Sequence, residues 1–509
     1  MIDVNKLKKE VFEELKDNSD NLINNYIHFD SRFSTNSLRR KLYNIYKNKN
    51  YVSNYRFLPF ITVNIKKIKY NHETDKNRKP VKYKNRLISL AGHEDALIYS
   101  FYGKLLSKLY ESYISNTDLN NVVLAYRSGK SNITGAKDVI DFIWKSNGCW
   151  IIKGDFSNFF DNLNHHLLLS NVEEIFSDVT ENYKLNDDWK SVLTHLTKYR
   201  YIEKNKLLKG LGNKHFHNKY VNNRKEISEL VRKKAIHFYK NRNGIPQGTS
   251  LSAVLANVYM IKFDNLISKD IKKYNGIYRR YSDDFVIVIP NNGCNRSTAI
   301  KIKKKVINDS EKQLKLKIND EKTKLLYFSK SNGNVVNENN NPTSFDYLGF
   351  SFNGNKVFLR NSTIYRFWYR GKRASRTFAL RYNERELLKN YNLSYLKNKY
   401  IENRFPEISD KIRNKVINRL EYEKNSLLNG WSIKGRKKFT KMYLVDQSIP
   451  RSNLMWYADR AQKKFEEPIP SFDKLYKVDI IKPVKKKILK IQSMYHNLKE
   501  KECKITKHI

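Results

Sequence analysis

Short runs of alternating apolar and polar residues, separated by stretches with helical spacing, fill the first two thirds of this chain. Val81-Lys-Tyr-Lys-Asn-Arg86-Leu-Ile-Ser-Leu90 alternates basic and apolar residues and predicts a strand with one cationic face. Cys149-Trp-Ile-Ile-Lys-Gly-Asp155 predicts an apolar strand that ends on a carboxylate, with a helix starting near Asn162. Phe285-Val-Ile-Val-Ile289 predicts a buried strand, and the basic segment Tyr278-Arg-Arg280 its hairpin partner. Helical spacing recurs at Val4 to Leu15, Ser37 to Tyr46, Glu94 to Glu111, Ser297 to Leu314, Asp410 to Leu428 and Val484 to Lys499. Val122 to Tyr126 predicts a further strand, and Phe345 to Phe352 an aromatic strand bent at Gly349. These elements predict an α+β chain in four parts. Residues 1–75 form a helical extension, 76–148 a first mixed domain, 149–355 a second with a mostly helical insertion at about 167–242, and 356–509 an all-helical C-terminal domain.

Charge changes the picture of what the surface meets. Lys and Arg number 98 against 51 Asp and Glu, a net charge of +47 spread over nearly the whole length. Such a field attracts a polyanion. No apolar run approaches the ~18 residues of a spanning helix, and Met1 to Leu15 lacks a signal-peptide core, so the expected location is the cytoplasm, away from membranes. Cys149, Cys294 and Cys503 are too scattered for a metal knuckle and read as reduced structural thiols. His215 and His217 lack further ligands at metal spacing and read as part of a basic loop.

Three stretches carry candidate chemistry. Tyr281-Ser-Asp283-Asp284 places two adjacent carboxylates at a hairpin tip; like charges held together inside a cleft call for divalent cations, while the pair alone also reads as a solvated turn. Asp155 ends a strand where a side chain can reach into a cleft, and Phe160 is large enough to wall off a pocket at the same edge. Gly244-Ile-Pro246-Gln247-Gly248 specifies a tight loop whose backbone can lie against a ligand, with Thr249 or Ser250 capping the helix that follows. In addition, Arg127-Ser-Gly129-Lys130 forms a basic turn suited to phosphates.

Taken in order, the strand-end Asp155, the Gly-x-Pro-Gln-Gly loop, the Tyr-x-Asp-Asp hairpin, Asn319-x-x-Lys322-Thr323 and the Leu348-Gly349 aromatic strand resemble the palm of reverse transcriptases. The resemblance implies right-hand polymerase-like fingers and palm, with DNA synthesis from deoxynucleoside triphosphates on two Mg²⁺ ions, Mn²⁺ being an alternative. It implies that Asp155, Asp283 and Asp284 are catalytic, with the Phe156 carbonyl as a further metal ligand. It assigns Lys84, Arg86, Arg127, Phe160, Gln247 and Lys322 to the incoming nucleotide, with Phe160 excluding a ribose 2′-hydroxyl. Gly244, Pro246, Gly248, Tyr281 and Gly349 fall to template and primer, and the arginines flanking the hairpin are expected to face the polyanion. Departures narrow the group. Ile88-Ser-Leu-Ala-Gly-His-Glu-Asp95-Ala96 lacks the Pro and the Asp-Arg pair common in group II intron and retron enzymes, and Ser128 stands where Pro is usual. The long stretch between Asp155 and Gly244 and the helical last third look like bacterial defence enzymes of the abortive-infection and related groups. That likeness implies a non-coding RNA partner, a DNA product and homo-oligomers, and in some members template-independent or protein-primed synthesis.

Overall fold

The computed structural model describes residues 1–48, 50–70, 81–180, 184–212, 216–404, 407–444, 453–470 and 476–506. The chain forms two compact units, Met1–Ser131 with Gly148–Tyr327, and Asn132–Asn147 with Phe328–Ile509. The strands up to residue 329 are, in chain order, β1 (Phe60–Tyr70), β2 (Val81–Leu90), β3 (Gly148–Asp155), β4 (Arg200–Glu203), β5 (Tyr239–Lys240), β6 (Ile277–Tyr281), β7 (Asp284–Pro290) and β8 (Lys324–Ser329).

In the first unit, β3 pairs antiparallel with β7, and β6 pairs on the other edge of β7, in the order β8-β3-β7-β6. Both faces of β7 are covered, Phe285 through Ile289 being buried, which is why this strand reads as a continuous apolar run. The helix Ser250–Tyr259 lies in the core, with Leu251, Val254, Leu255 and Val258 buried. Thr249 caps it, its hydroxyl accepting from the Ser252 N–H at 3.1 Å. The helix His93–Ser115 approaches it so closely that a Cβ on Gly103 would stand 3.0 Å from the Leu251 nitrogen.

Three expectations change. Residues 60–70, expected inside the helical extension, form β1, because Phe60-Ile-Thr-Val-Asn-Ile alternates as a strand does and pairs with β2 from Ile61 opposite Leu90 outward. The segment 167–242 is mostly helical, with helices at His165–Val179, Asp187–Thr197, Lys204–Gly210 and Arg224–Arg232, and it adds a strand: its β4 pairs in parallel with β1, Ile61 opposite Ile202. Val122 to Tyr126 is not a strand: Leu119–Val122 is a helical turn, Val123 makes a single bridge to Arg280, and Tyr126 takes φ 59°, which ends extended backbone.

A buried acid fastens the segment before β1 to the helix His93–Ser115 within this unit. Asp95 accepts from the Tyr55 hydroxyl at 2.7 Å and from the Leu58 N–H at 2.9 Å, and burial pushes its carboxyl up to about 7. A carboxyl with a raised folded-state value contributes stability that is complete below its unfolded value, near 4, and is lost as pH rises toward about 7. Melting temperature should therefore fall between pH 5 and roughly 7.5 and then level off. Asp95→Asn, whose amide keeps both partners, should flatten that slope; an identical slope in the variant would assign the dependence to another group.

The second unit is mostly helical and includes the helix Asn132–Lys145, but 356–509 is not all-helical: Lys356–Leu359 and Lys477–Val478 pair as parallel strands, each too short to show a strand pattern in the sequence. Its long helix Asn361–Asn390 packs on Ile481–Thr506 at Gly371, where a Cβ would stand 2.3 Å from the Ile491 side chain. Against Asp410–Leu428 the same helix uses buried charge: Glu423 pairs with Arg381 and Arg385, and Glu384 with Arg419. Burial holds the Glu384 carboxyl above its ordinary range, with Arg419 opposing.

Candidate active site

The register of the first unit brings the acidic residues of the sequence to one strand end. Asp155, the last residue of β3, lies opposite Asp284, the first of β7, and Asp284 lies opposite Tyr281 of β6. Ser282 and Asp283 make the two-residue connection, with Ser282 at φ 59°. The Phe156 N–H donates to the Asp283 carbonyl at 3.0 Å, so the chain leaving β3 is bonded to the hairpin tip itself. All three carboxylates are half-buried. Among the described residues the side chains of Asp155 and Asp283 have neither hydrogen-bond nor ion-pair partners, and no three His, Cys, Asp or Glu side chains converge as a ready-made ion cage. The fit to divalent cations lies in donor type and backbone placement: hard carboxylate oxygens at the end of β3, in the turn and at the start of β7, those of Asp155 and Asp283 without partners among the described residues. The Phe156 side chain is buried between Phe159, Phe263 and Phe285.

Gly154, absent from the sequence-based candidates, makes this juxtaposition possible. A Cβ there would lie 2.6 Å from the Phe285 ring and 2.9 Å from the Thr323 hydroxyl. The signal was a glycine directly before a strand-end acid. The turn Asp320–Lys322 closes on the same strand. Asn319 donates its N–H to the Asp155 carbonyl at 3.5 Å, and its side chain caps the Lys322 N–H at 3.1 Å, leaving the Lys322 side chain exposed.

The glycine-bounded loop is fastened at both ends. Gly244 has φ +72°, and a Cβ would lie 2.4 Å from the Phe160 carbonyl oxygen. Ile245 donates its N–H to that carbonyl at 2.8 Å, Gly244 donates to Leu163 at 3.0 Å, and the His165 imidazole donates to the Gly244 carbonyl at 2.7 Å. At the far end Gly248 has φ +132° with Ser89 backbone 2.7 Å from its Cβ position, and the Ser89 N–H donates to the Gln247 carbonyl at 2.8 Å. Pro246 is buried and Gln247 half-exposed between the anchors. The loop thus spans from the Phe160 segment to β2. Phe160 is half-buried, its ring edge-on to Phe159 at 5.5 Å.

Other candidates stand apart. Arg86 is exposed on β2, while the side chain of Lys84, like that of Cys503 and all of His215, lies outside the described residues. His217 is exposed. Gly349 belongs to the second unit, in a turn at φ +94° whose carbonyl accepts the Arg360 N–H at 2.9 Å. Arg127 does not reach outward for phosphates: its guanidinium donates to Glu111, to the Asn120 and Val123 carbonyls and to the Asn120 side chain, which occupies its fork in anchoring the turn. Arg280, expected to face a polyanion, is wholly buried against Asp264. Burial raises the Tyr281 hydroxyl, with Tyr126 adding to the effect. Cys149 and Cys294 are buried free thiols, both raised by burial.

Residues 78–352, more than half of the chain, match the family model described as reverse transcriptase (RNA-dependent DNA polymerase). No curated protein matches. Among solved structures, apo telomerase from Candida tropicalis truncated from its C-terminal domain is 16% identical over 57% of this chain and 55% of that one, with TM-score 0.37. The chain thus spans about half of that telomerase. Telomerase from Candida albicans in complex with a fragment of telomeric RNA is 14% identical over 97% and 75%, with TM-score 0.36. The RNA-dependent RNA polymerase of a human picobirnavirus is 11% identical over 58% and 43%, with TM-score 0.35. No helix of the described residues is long and apolar enough to cross a membrane.

Proposed function

Because the chain belongs to the reverse transcriptase (RNA-dependent DNA polymerase) family, we propose that it copies RNA into DNA at the strand end formed by Asp155, Asp283 and Asp284. The observation that carries this reading is the register that sets Asp155 opposite Asp284, with Asp283 in the turn and two of the carboxylates unpartnered. Asp155 and Asp283 would hold two Mg²⁺ ions, with Mn²⁺ as a substitute, and Asp284 and the Phe156 carbonyl would complete the set. Such ions supply a deprotonated 3′-hydroxyl and a neutralised pyrophosphate leaving group. The chain's own residues do the rest. Arg86 and Lys322, both exposed, and Lys84 bind the triphosphate; Gln247, held by its carbonyl to Ser89, orients the nascent base pair. Gly248, Pro246, Gly244 and Tyr281 line the path of template and primer.

Phe160 stands on backbone fixed by Ile245, which supports reading its ring as a wall against a 2′-hydroxyl. Phe160→Ala should improve ribonucleotide use relative to deoxynucleotide use about 10- to 100-fold in kcat/KM, the range a lost side-chain wall gives. Unchanged discrimination in competition assays would remove that role.

The broader setting follows from the sequence resemblance: a cytoplasmic defence enzyme against phage, working with a non-coding RNA and assembling with its own copies. The net charge of +47 supports a nucleic-acid partner. The test is incorporation of each labelled deoxynucleotide by the purified protein, with and without RNase treatment, followed by sequencing of product and copurified RNA. Product complementary to that RNA supports the reading. Incorporation that survives RNase without any template assigns terminal-transferase-like synthesis instead, and no incorporation with either ion removes the polymerase reading.

A further inference from the structure

Asp283 sits between two peptide planes, and each is held from outside the turn. The plane before it presents the Ser282 carbonyl to Arg280, whose Nη1 donates at 3.0 Å. The plane after it presents the Asp283 carbonyl to the Phe156 N–H at 3.0 Å, one residue beyond Asp155. A peptide unit is planar, so fixing both carbonyls leaves Asp283 little freedom in φ or ψ. Its carboxylate then moves only by side-chain rotation.

Arg280 is itself immobile. It is fully buried, its Nε 3.0 Å from both oxygens of Asp264 and its Nη2 2.7 Å from Oδ2. Asp264 also accepts from the Tyr278 hydroxyl at 2.8 Å. The Arg280 Nη1 shares itself with the Asn257 side-chain oxygen at 3.3 Å, and the Asn257 amide donates to the Ala125 carbonyl at 2.8 Å. On the backbone, the Leu124 N–H donates to the Arg280 carbonyl at 2.9 Å. One guanidinium therefore ties the turn to the helix Ser250–Tyr259, to the helix Ile261–Lys272 and to the segment leading into Tyr126.

A buried ion pair is a weak source of stability, because apolar side chains of similar volume pack as well without the desolvation penalty. What apolar side chains cannot do is donate to the Ser282 carbonyl, in a turn whose first residue holds φ 59°, a conformation that residues other than glycine seldom adopt. Resting on the polymerase reading above, we infer that Arg280 is a positioning residue for Asp283, with Asp264 orienting its guanidinium and Asn257 bracing it. The serine between tyrosine and aspartates thereby has an explanation: its side-chain oxygen lies 3.3 Å from the Tyr126 hydroxyl, and its carbonyl is the handle that Arg280 grips.

Removing Arg280 alone would strand Asp264 in the core, so the informative variant is Arg280→Met with Asp264→Leu and Tyr278→Phe, beside Arg280→Lys, which keeps the charge and loses the fork. The triple variant should melt within a few degrees of the parent. Amide exchange in the peptide spanning the hairpin tip should be about tenfold faster while β3 and the helix Ser250–Tyr259 keep their protection. The kcat for deoxynucleotide incorporation should fall about 10²-fold with the nucleotide KM within about twofold, as for a displaced reacting group. Arg280→Lys should fall between. A folded triple variant with parental tip exchange and parental kcat overturns the inference, as does a loss of protection spread evenly over the sheet. Should the parent protein itself incorporate nothing, the polymerase reading fails, while the exchange comparison still decides whether Arg280 holds the turn.

Discussion

Asp283→Ala should abolish deoxynucleotide incorporation, lowering kcat by about 10³-fold or more, with no loss of fold. The size follows from withdrawing several kcal/mol of transition-state charge stabilisation, each 1.36 kcal/mol being tenfold in rate. The preserved fold follows from the geometry: the Asp283 side chain has no partner among the described residues, and the bonds that hold the turn reach the Ser282 and Asp283 carbonyls, which alanine keeps. Removing one of three neighbouring carboxylates also relieves repulsion, so the melting temperature in the absence of divalent ions should be unchanged or slightly higher. Primer extension and thermal melting on the same preparation read both quantities. A folded variant with full incorporation would show that the assignment of Asp283 to the reacting centre is wrong.

Gly244→Ala should be a severely damaging single-methyl change at the candidate site. A methyl group there would lie 2.4 Å from the Phe160 carbonyl oxygen and 2.5 Å from Asp161 backbone, and φ +72° adds strain of order 1 kcal/mol or more for any other residue. The clash is with backbone, which has no rotamer to yield. Relief requires the loop to lift from the Phe160 segment, breaking the Ile245 bond that fixes Phe160. The expected result is a loss of about 10²-fold in kcat/KM for deoxynucleotides, with discrimination against ribonucleotides weakened in parallel. Wild-type selectivity in a folded Gly244→Ala protein would show that this loop does not support Phe160. Gly129→Ala, in a loop where nothing stands within 4 Å of the Cβ position, is the control for backbone strain alone.

The elements that were legible in the sequence are those whose pattern is local. β3 announces itself by an apolar run that ends at an acid, β7 by one that begins at an acid, and the helix Arg296–Leu314 by its spacing. What escaped depends on partners far along the chain. β1 reads as polar because lysines crowd its outer half, and it becomes a strand through pairing with β2 and β4. A basic residue beside a turn reads as surface, and nothing near Arg280 in sequence reveals that Asp264, on the preceding helix, meets it in the core. Arg127 is the same case with Glu111. Gly154 carries little local sign of its role, because the neighbours that forbid a side chain there, Phe285 and Thr323, come from two other strand ends.

Among the described residues, β1 beyond Thr62 has β2 alone beside it, and β2 is the outermost strand of its sheet. The outer part of the pair is thus a ribbon with two open hydrogen-bonding edges and exposed Ile65, Tyr83 and Leu87. Open edges with apolar side chains invite another chain to add itself as a strand. Lys66 and Arg86, exposed on the two strands, place like charges where a second copy would align. A cation at such an edge serves two ends at once, drawing in a polyanion and discouraging a second copy of the chain from adding itself as a strand.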